Sequence, residues 1–260
     1  MSDGLTMPFW GTSMSTRHGA SYLVPSDIGT TLKFVSARGR LHTETEHRFS
    51  PQESTTDYTV AFALTDGSPV AAARDYRAWL QDHGGITTLR EKIARNPEVG
   101  KLVGAFHAYT WGQARTPEGI RRLRQLGIDR MWIGYDADGS PMDRAATSLA
   151  ERSGYLVGPY DSWANAQDPA SADTSVSKWP APVWQDACVH GADGKIVTGF
   201  GGRGCYVSSE ALRRAEPSRH HLADRTREMT ANGATSYFLD VDAAGELFTD
   251  HSPAHPMTQA

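Results

Sequence analysis

Apolar residues along this chain keep one spacing up to Leu64 and another beyond it. In the first part they fall in short runs that suit strands, over residues 20–24, 31–37, 41–49 and 58–64. Turn signals at Pro25-Ser26-Asp27, Arg38-Gly39 and Asp66-Gly67 separate or close them. The third run is polar on both faces, as an edge or solvated strand is. The set is small for a free-standing sandwich, so residues 1–69 read as the C-terminal part of a β-sandwich domain. From residue 70 the period becomes helical. Val70, Ala73, Tyr76, Trp79 and Leu80 recur at helical spacing, and Gly84-Gly85 ends the run. A second helix is predicted over 87–95, and residues 70–100 read as a helical linker.

Beyond Leu102 strand and helix alternate. Strands are predicted over 102–109, 130–135, 155–160 and 235–241. Between the first two, Thr116 as N-cap, Pro117 at the first helical position, Ile120 and Leu123 on the buried stripe and Gly127 past the end mark a helix. Further helices are predicted over 142–153, from Ser208, and from Ser218 to Asn232-Gly233. A long interruption rich in Gly, Ser, Asp and Trp covers 161–204. Repeated strand–helix units imply parallel strands with crossover helices. A unit length of about 25–30 residues suits a (β/α)8 barrel. The fold class is therefore α/β, with residues 101–260 as the first half of such a barrel. A doubly wound sheet is the runner-up, and it usually has a glycine-rich phosphate turn after its first strand. That position here holds Trp111-Gly112-Gln113-Ala114.

Composition narrows the function by exclusion. The 260 residues carry a net charge of −4 with His neutral and have no basic run, which argues against nucleic acid or an anionic membrane as partner. No apolar stretch approaches the ~20 residues that span a bilayer. Residues 1–10 lack the pattern of a signal peptide, so a cytoplasmic setting follows if Met1 is the genuine start. Cys188 and Cys205 have no metal-ligand spacing and read as ordinary unpaired thiols, with a bridge as the alternative in a secreted protein.

In parallel α/β folds the site lies at the carboxyl ends of the strands. The four predicted strands deliver His107, Tyr109 and Trp111; then Tyr135, Asp136 and Asp138; then Tyr160, Asp161 and Trp163; and finally Asp240 and Asp242. Carboxylates and amphipathic aromatics on one rim suit a sugar, whose C–H faces stack on rings while its hydroxyls pair with carboxylates. Asp138, next to Gly139, reads as a turn residue. Asp240 closes the apolar run Tyr237-Phe238-Leu239 and is the candidate catalytic group, with Asp242 placed on the same side by alternation. His107, Trp111, Tyr135, Asp136, Tyr160, Asp161, Trp163, Arg203 and Asp242 are the candidate substrate-binding residues. Glu246, on the loop after Gly245, is a weaker candidate partner for Asp240.

No cofactor or metal is expected. His107-Ala108-Tyr109 lacks the second His of a barrel metal site, and the adjacent His220-His221 cannot share a helix face. His251 and His255 are flanked by Pro253 and Pro256, which oppose a helix. The glycine-rich stretch 199–204 has no Lys-Ser/Thr after it, so it is no phosphate loop. Trp179 and Trp184 suit a small core or a binding platform equally.

The segment Tyr237-Phe238-Leu239-Asp240-Val241-Asp242, with Asp250-His251-Ser252-Pro253-Ala254-His255-Pro256-Met257-Thr258 after it, resembles the bacterial endo-α-N-acetylgalactosaminidases and their exo-acting relatives. The stretches 104–112 and 158–163 are similar to the same group. The resemblance implies a β-sandwich followed by a (β/α)8 barrel and retaining hydrolysis, with the nucleophilic Asp at the end of the fourth strand, Asp240 here. It places the acid/base near a later strand, and this sequence reaches Ala260 without one. The expectation is thus a partial chain of a retaining glycosidase, poorly stable and without turnover alone. A non-catalytic carbohydrate-binding remnant is the competing class.

Overall fold

The computed structural model describes residues 7–49, 57–136, 141–180, 182–242 and 247–259. Asp138 and Glu246 lie outside the described residues. The chain divides into two compact units, Met1–Thr88 with Thr258–Ala260, and Leu89–Met257.

The first unit is antiparallel. Strands β1 (Phe9–Ser13), β2 (Gly19–Leu23) and β5 (Ala61–Thr65) form one sheet, while β3 (Thr30–Ala37) and β4 (Arg40–His47) form a hairpin. Arg38 and Gly39 both take positive φ at the hairpin tip, as a two-residue turn requires. The hairpin is mostly exposed, which matches its polar composition. β1 has no counterpart among the predicted strands. Its sequence, Phe-Trp-Gly-Thr-Ser, is short and glycine-interrupted, and it is held by pairing with β2 and by Trp10 stacked on Tyr22. Helix α1 (Ala71–Asp82) lies over this sheet: Ala71 and Ala72 are buried, and a Cβ added at Gly11 would stand 3.2 Å from the Ala72 methyl. The first part of the segment read as a linker is therefore packed into the first unit.

The second unit holds α2 (Leu89–Arg95), β6 (Phe106–Tyr109), α3 (Pro117–Gln125), β7 (Met131–Asp136), α4 (Arg144–Arg152), β8 (Leu156–Asp161), the short pair β9 (Asn165–Ala166) and β10 (Cys205–Tyr206), α5 (Ser209–Arg219), α6 (His221–Met229) and β11 (Phe238–Leu239). A curled four-stranded parallel sheet runs β11-β8-β7-β6, the order expected from the strand–helix repeat. Thr116 caps α3 through the Gly119 amide (3.2 Å) and Asp143 caps α4 through the Ala146 amide (2.7 Å). β6 is shorter than predicted, because Pro97–Leu102 forms a 3-10 turn and Gly104 takes φ 70°. The helix expected from Ser218 starts at His221 instead. His220 breaks the chain at φ 53°, and the Glu216 carboxylate accepts from the Leu222 and Ala223 amides at 2.8 and 2.9 Å, capping α6.

The sheet's helix-facing side buries Ile120, Met131, Ile133, Ala146, Tyr155 and Val157 in one core. A second core lies in the insertion after β8, around Trp179, Val183, Cys188, Cys205 and Leu212, with Trp163 and Trp184 packed against it. Cys188 and Cys205 form a disulfide, contrary to the expectation of free thiols. They sit on extended segments that pair with each other's neighbours, Cys188 with Val207 and Thr198 with Cys205. Closing a loop of 17 residues stabilises by about 3 kcal/mol in the chain-entropy account. Replacing both cysteines by serine is expected to lower unfolding free energy by about 2–4 kcal/mol and to open the loop around Phe200 to protease. Iodoacetamide labelling of both native thiols without reductant would show the bridge to be absent.

Candidate functional site

Strand alternation sorts the rim residues onto two faces. Register pairs Asp136 with Tyr160 and Tyr160 with Phe238. Trp132, Gly134, Asp136, Tyr160 and Phe238 therefore share the inner face, and Met131, Ile133, Tyr135, Val157 and Asp161 face the helices. On the inner face Trp132 donates to the Ser236 hydroxyl (3.0 Å) and stands edge-on to Phe238 (5.5 Å). A Cβ on Gly134 would meet the Trp132 ring at 2.2 Å, so this position must stay bare for the aromatic layer to fit.

Two tyrosine–carboxylate pairs stand at the C-terminal rim above that layer. Tyr160 donates its hydroxyl to Asp240 Oδ2 at 2.8 Å, and the Val241 amide donates to Oδ1 at 3.0 Å. Tyr109 donates to Asp136, whose other oxygen lies 3.8 Å from the buried Arg115 guanidinium. The Tyr109 and Tyr160 rings meet edge to face at 5.8 Å. Burial first, then the bond to Asp240, pushes the Tyr160 phenol up to about 12, so it remains a donor at neutral pH. Burial and Asp136 push Tyr109 the same way. Trp111 stands edge-on to Tyr109 with its ring open to solvent (63% exposed).

Asp240 also lines a cavity of about 230 Å³ with Tyr160, Asn165, Phe200, Arg203 and Tyr206. The far wall is the insertion, locked by its disulfide. The Phe200 amide donates to Asn165 Oδ1 (2.8 Å), which fixes the loop, and Phe200 projects 68% exposed. Arg203 is ion-paired to Asp173, so the wall carries no lone charge there.

The other candidates fall elsewhere. Tyr135 is buried against the helices, where its hydroxyl donates to Met229 O (3.4 Å) and accepts from Asn232 (2.7 Å). Asp161 is fully buried on the same side. Arg225 donates to both its oxygens (2.8 and 2.5 Å), and Tyr237 (2.5 Å), the Trp163 indole (3.0 Å) and the Ser162 amide (2.9 Å) complete its shell. No acceptor is left for a ligand. Trp163 is held by that bond and packs on the insertion core. His107 lies on the inner face at the level of Trp132, one layer below the rim, its ring 6.2 Å from the indole. Asp242 does not follow Asp240 by alternation. Val241 turns into the left-handed region (φ 60°), an uncommon conformation for a β-branched residue, and Asp242 swings to accept from the Trp163 amide (3.2 Å). Burial raises the Asp242 carboxyl above its usual value, with Asp161 and Asp240 adding to the rise. Sequence reasoning named none of Asn165, Phe200 and Tyr206. Only the glycine-rich stretch around Phe200 signalled a loop near the site.

His255 is a structural residue. It is buried with Asp250 and Ser252, with Nδ1 2.7 Å from Asp250 Oδ2 and Nε2 2.9 Å from the Asp186 carbonyl and 3.2 Å from the Ser252 hydroxyl. Both ring nitrogens are thus engaged inside the cluster, Nδ1 by a carboxylate and Nε2 by a main-chain carbonyl as well as the hydroxyl. Among the described residues no three His, Cys, Asp or Glu side chains gather as a metal site. Among them, too, no helix is long and apolar enough to cross a membrane.

A curled parallel sheet that collects carboxylates and aromatic rings at its carboxyl rim defines an α/β protein of the strand-end site class. The chain belongs to the family described as glycosyl hydrolases related to GH101 family, GH129, whose model matches residues 122–260, more than half of its length. Among solved structures it is similar to the α-N-acetylgalactosaminidase NagBb from Bifidobacterium bifidum in its GalNAc complex, at 19% identity and TM-score 0.69, over 98% of this chain and 47% of that one. It is also similar to the cycloalternan-degrading enzyme from Trueperella pyogenes, at 14% identity and TM-score 0.55, over 90% of this chain and 36% of that one. At these identities the likeness is one of fold. The chain spans slightly under half the length of NagBb. No curated protein matches the sequence.

Two outcomes follow from the buried carboxylates. Arg225→Ala leaves Asp161 uncompensated and is expected to cost about 3–5 kcal/mol, whereas Asp161→Leu with Arg225→Met recovers most of that loss; urea unfolding of the three proteins checks it. For Asp250, burial works against the charged form. The amides of His190 and Ser252, with Ser208 and His255, outweigh it and hold the carboxyl below its ordinary 3.8. That contribution is complete above 3.8 and disappears as pH falls through the lower folded value. The stability gap between the native chain and Asp250→Asn should therefore shrink as pH falls below 3.8 and level off below the folded value; a gap constant with pH refutes the assignment.

Proposed function

We propose that this chain carries the nucleophile of a retaining glycosidase acting on α-linked N-acetylgalactosamine, and that the nucleophile is Asp240. The observation that carries the proposal is the place of Asp240 on the inner rim, in the wall of a cavity, with one hydrogen bond from the described residues to each carboxylate oxygen. Family membership supplies the reaction class. The bound states of NagBb, with GalNAc and with Gal-NHAc-DNJ, suggest the sugar. In this reading the four parallel strands are the first half of a (β/α)8 barrel and the antiparallel unit is the end of a β-sandwich.

The chemistry is a double displacement. A carboxylate oxygen of Asp240 bonds to the anomeric carbon as the glycosidic C–O bond breaks, its electron pair leaving on the departing oxygen with a proton from the acid. Water then attacks the same carbon, giving a proton to the conjugate base of that acid, and the bond to Asp240 breaks with its electron pair returning to the carboxylate. Asp136, held by Tyr109 and Arg115, and the open ring of Trp111 suit hydroxyl recognition and stacking. Retaining enzymes hold their two carboxyl groups about 5–5.5 Å apart. Asp136 and Asp240 stand on strands separated by β8, so their backbones are about 9–10 Å apart. Asp136, committed to the Tyr109 hydroxyl, is assigned to recognition in this reading.

α-N-acetylgalactosaminyl fluoride tests the assignment, because fluoride departs without a proton and the nucleophile alone suffices for the first step. A 5-fluoro analogue of the same sugar fluoride is expected to leave a covalent label on the Asp240 peptide, seen by mass spectrometry, and Asp240→Asn to abolish that label. GalNAc binding with no label on any carboxylate would instead make the chain a carbohydrate-binding protein and overturn the proposal.

A further inference from the structure

Tyr160 was placed by sequence among groups that touch the sugar. Its geometry gives it another task. Its hydroxyl is committed to Asp240 Oδ2 at 2.8 Å, its ring is wedged between Phe238 (5.9 Å) and Tyr109 (5.8 Å), and both of these stand on the inner face. A phenol ring held on two sides has little freedom to turn its hydroxyl toward a ligand. The second oxygen of the same carboxylate is held by the Val241 amide, which the left-handed turn at Val241 aims back at it. The Asp240 amide in turn donates to the Asp161 carbonyl at 2.8 Å, so the carboxylate's own backbone is tied to β8. Asp240 is thus gripped at both oxygens and at its main chain, while the remaining lone pairs face the cavity.

We propose that Tyr160 is a positioning residue for Asp240: its hydroxyl fixes the plane of that carboxylate and stabilises the charge the carboxylate bears before attack and regains when it leaves. The inference rests on Asp240 being the nucleophile and assigns the control of its charge, which the family and fold matches leave open. The two halves of the reaction feel the hydrogen bond differently. A carboxylate accepts more strongly than an ester, because charge strengthens the bond. The Tyr160 hydroxyl therefore holds free Asp240 more tightly than the glycosylated form. It slightly restrains the attack and favours departure of the carboxylate, so it acts mainly on breakdown of the glycosyl-enzyme. The phenol keeps its proton throughout, since burial and Asp240 hold it far above neutral pH.

The test is Tyr160→Phe, with α-N-acetylgalactosaminyl fluoride as substrate and azide as an acceptor that attacks the glycosyl-enzyme without a base. Removing one hydrogen bond to a charged group should lower kcat roughly ten- to hundredfold. KM should fall with it, as glycosyl-enzyme accumulates and becomes visible as an added N-acetylhexosamine mass on the intact protein. The acid limb of kcat/KM should move to higher pH, because the ionised carboxylate has lost a donor. Incorporating 3,5-difluorotyrosine at position 160 preserves the ring while making the hydroxyl a stronger donor, and should move that limb the other way. It also guards against a Phe variant that folds poorly. Acid limbs unmoved in both proteins, with no accumulation of glycosyl-enzyme, would leave Tyr160 a packing residue and overturn the inference. A native enzyme labelled by the 5-fluoro reagent at a carboxylate other than Asp240 would sink the nucleophile assignment itself, a failure seen before any Tyr160 variant is made.

Discussion

The buried carboxylate of Asp161 is the constraint on which the second unit depends. A charge taken wholly out of water is tolerated only when paired and fully hydrogen-bonded. Its partners come from three places: Ser162 and Trp163 after β8, Tyr237 just before β11, and Arg225 on α6. Arg225 in turn lies over the Trp179 ring at 4.2 Å and donates to the Val176 and Lys178 carbonyls, which belong to the insertion. One ion pair therefore ties strand, strand, helix and insertion together. It also sets the facing of the rim. With Asp161 and Tyr237 turned to the helices, alternation turns Tyr160, Phe238 and Asp240 to the inner face.

The insertion reaches the rim because it is braced twice. The Cys188–Cys205 bridge closes the loop that carries Phe200 and Arg203. Opposite it, the segment around Asp250 pairs with Met257 and receives the His190 amide, two residues beyond Cys188. Asp250 and His255 thus hold the insertion from below while the disulfide holds it from within. The motif Asp250-His251-Ser252-Pro253-Ala254-His255, which carries part of the family resemblance, is bonded to the insertion at His190 and Asp186.

Much of this was legible in the sequence, and the physical reason differs by element. The parallel strands and their helices were readable because apolar runs, N-caps and terminal glycines are local signals: Thr116, Asp143 and Ser208 cap helices, and Gly127 and Gly154 take positive φ where helices end. β1 was missed because Phe9–Ser13 is short and interrupted by Gly11, with no period of its own, and is held by its pairing with β2. Asp161 and Tyr135 were expected at the rim by position after apolar strands. Strand parity places them on the other face, and parity depends on a register that a single strand does not reveal. Asp242 was misplaced by extending alternation through Val241, where a left-handed turn ends it. The disulfide and the pocket wall depend on how a loop from 161 to 204 folds back, and no period or spacing announces that.

Counting donors separates carboxylates that look alike in sequence. A carboxylate offers about four lone-pair positions. Asp161 accepts from Arg225 twice, from Tyr237, Trp163 and Ser162, and is saturated. Asp240 accepts one bond at each oxygen, from Tyr160 and Val241, and borders open space. Asp136 accepts from one phenol and faces the Arg115 guanidinium at 3.8 Å. Saturation makes a carboxylate a structural anchor whose removal unfolds its surroundings, whereas partial coordination fixes its orientation and leaves it capacity to engage a ligand. Three aspartates that follow or close apolar strands in this chain thus have different chemical capacities, set by the number and direction of their donors more than by their position in the sequence.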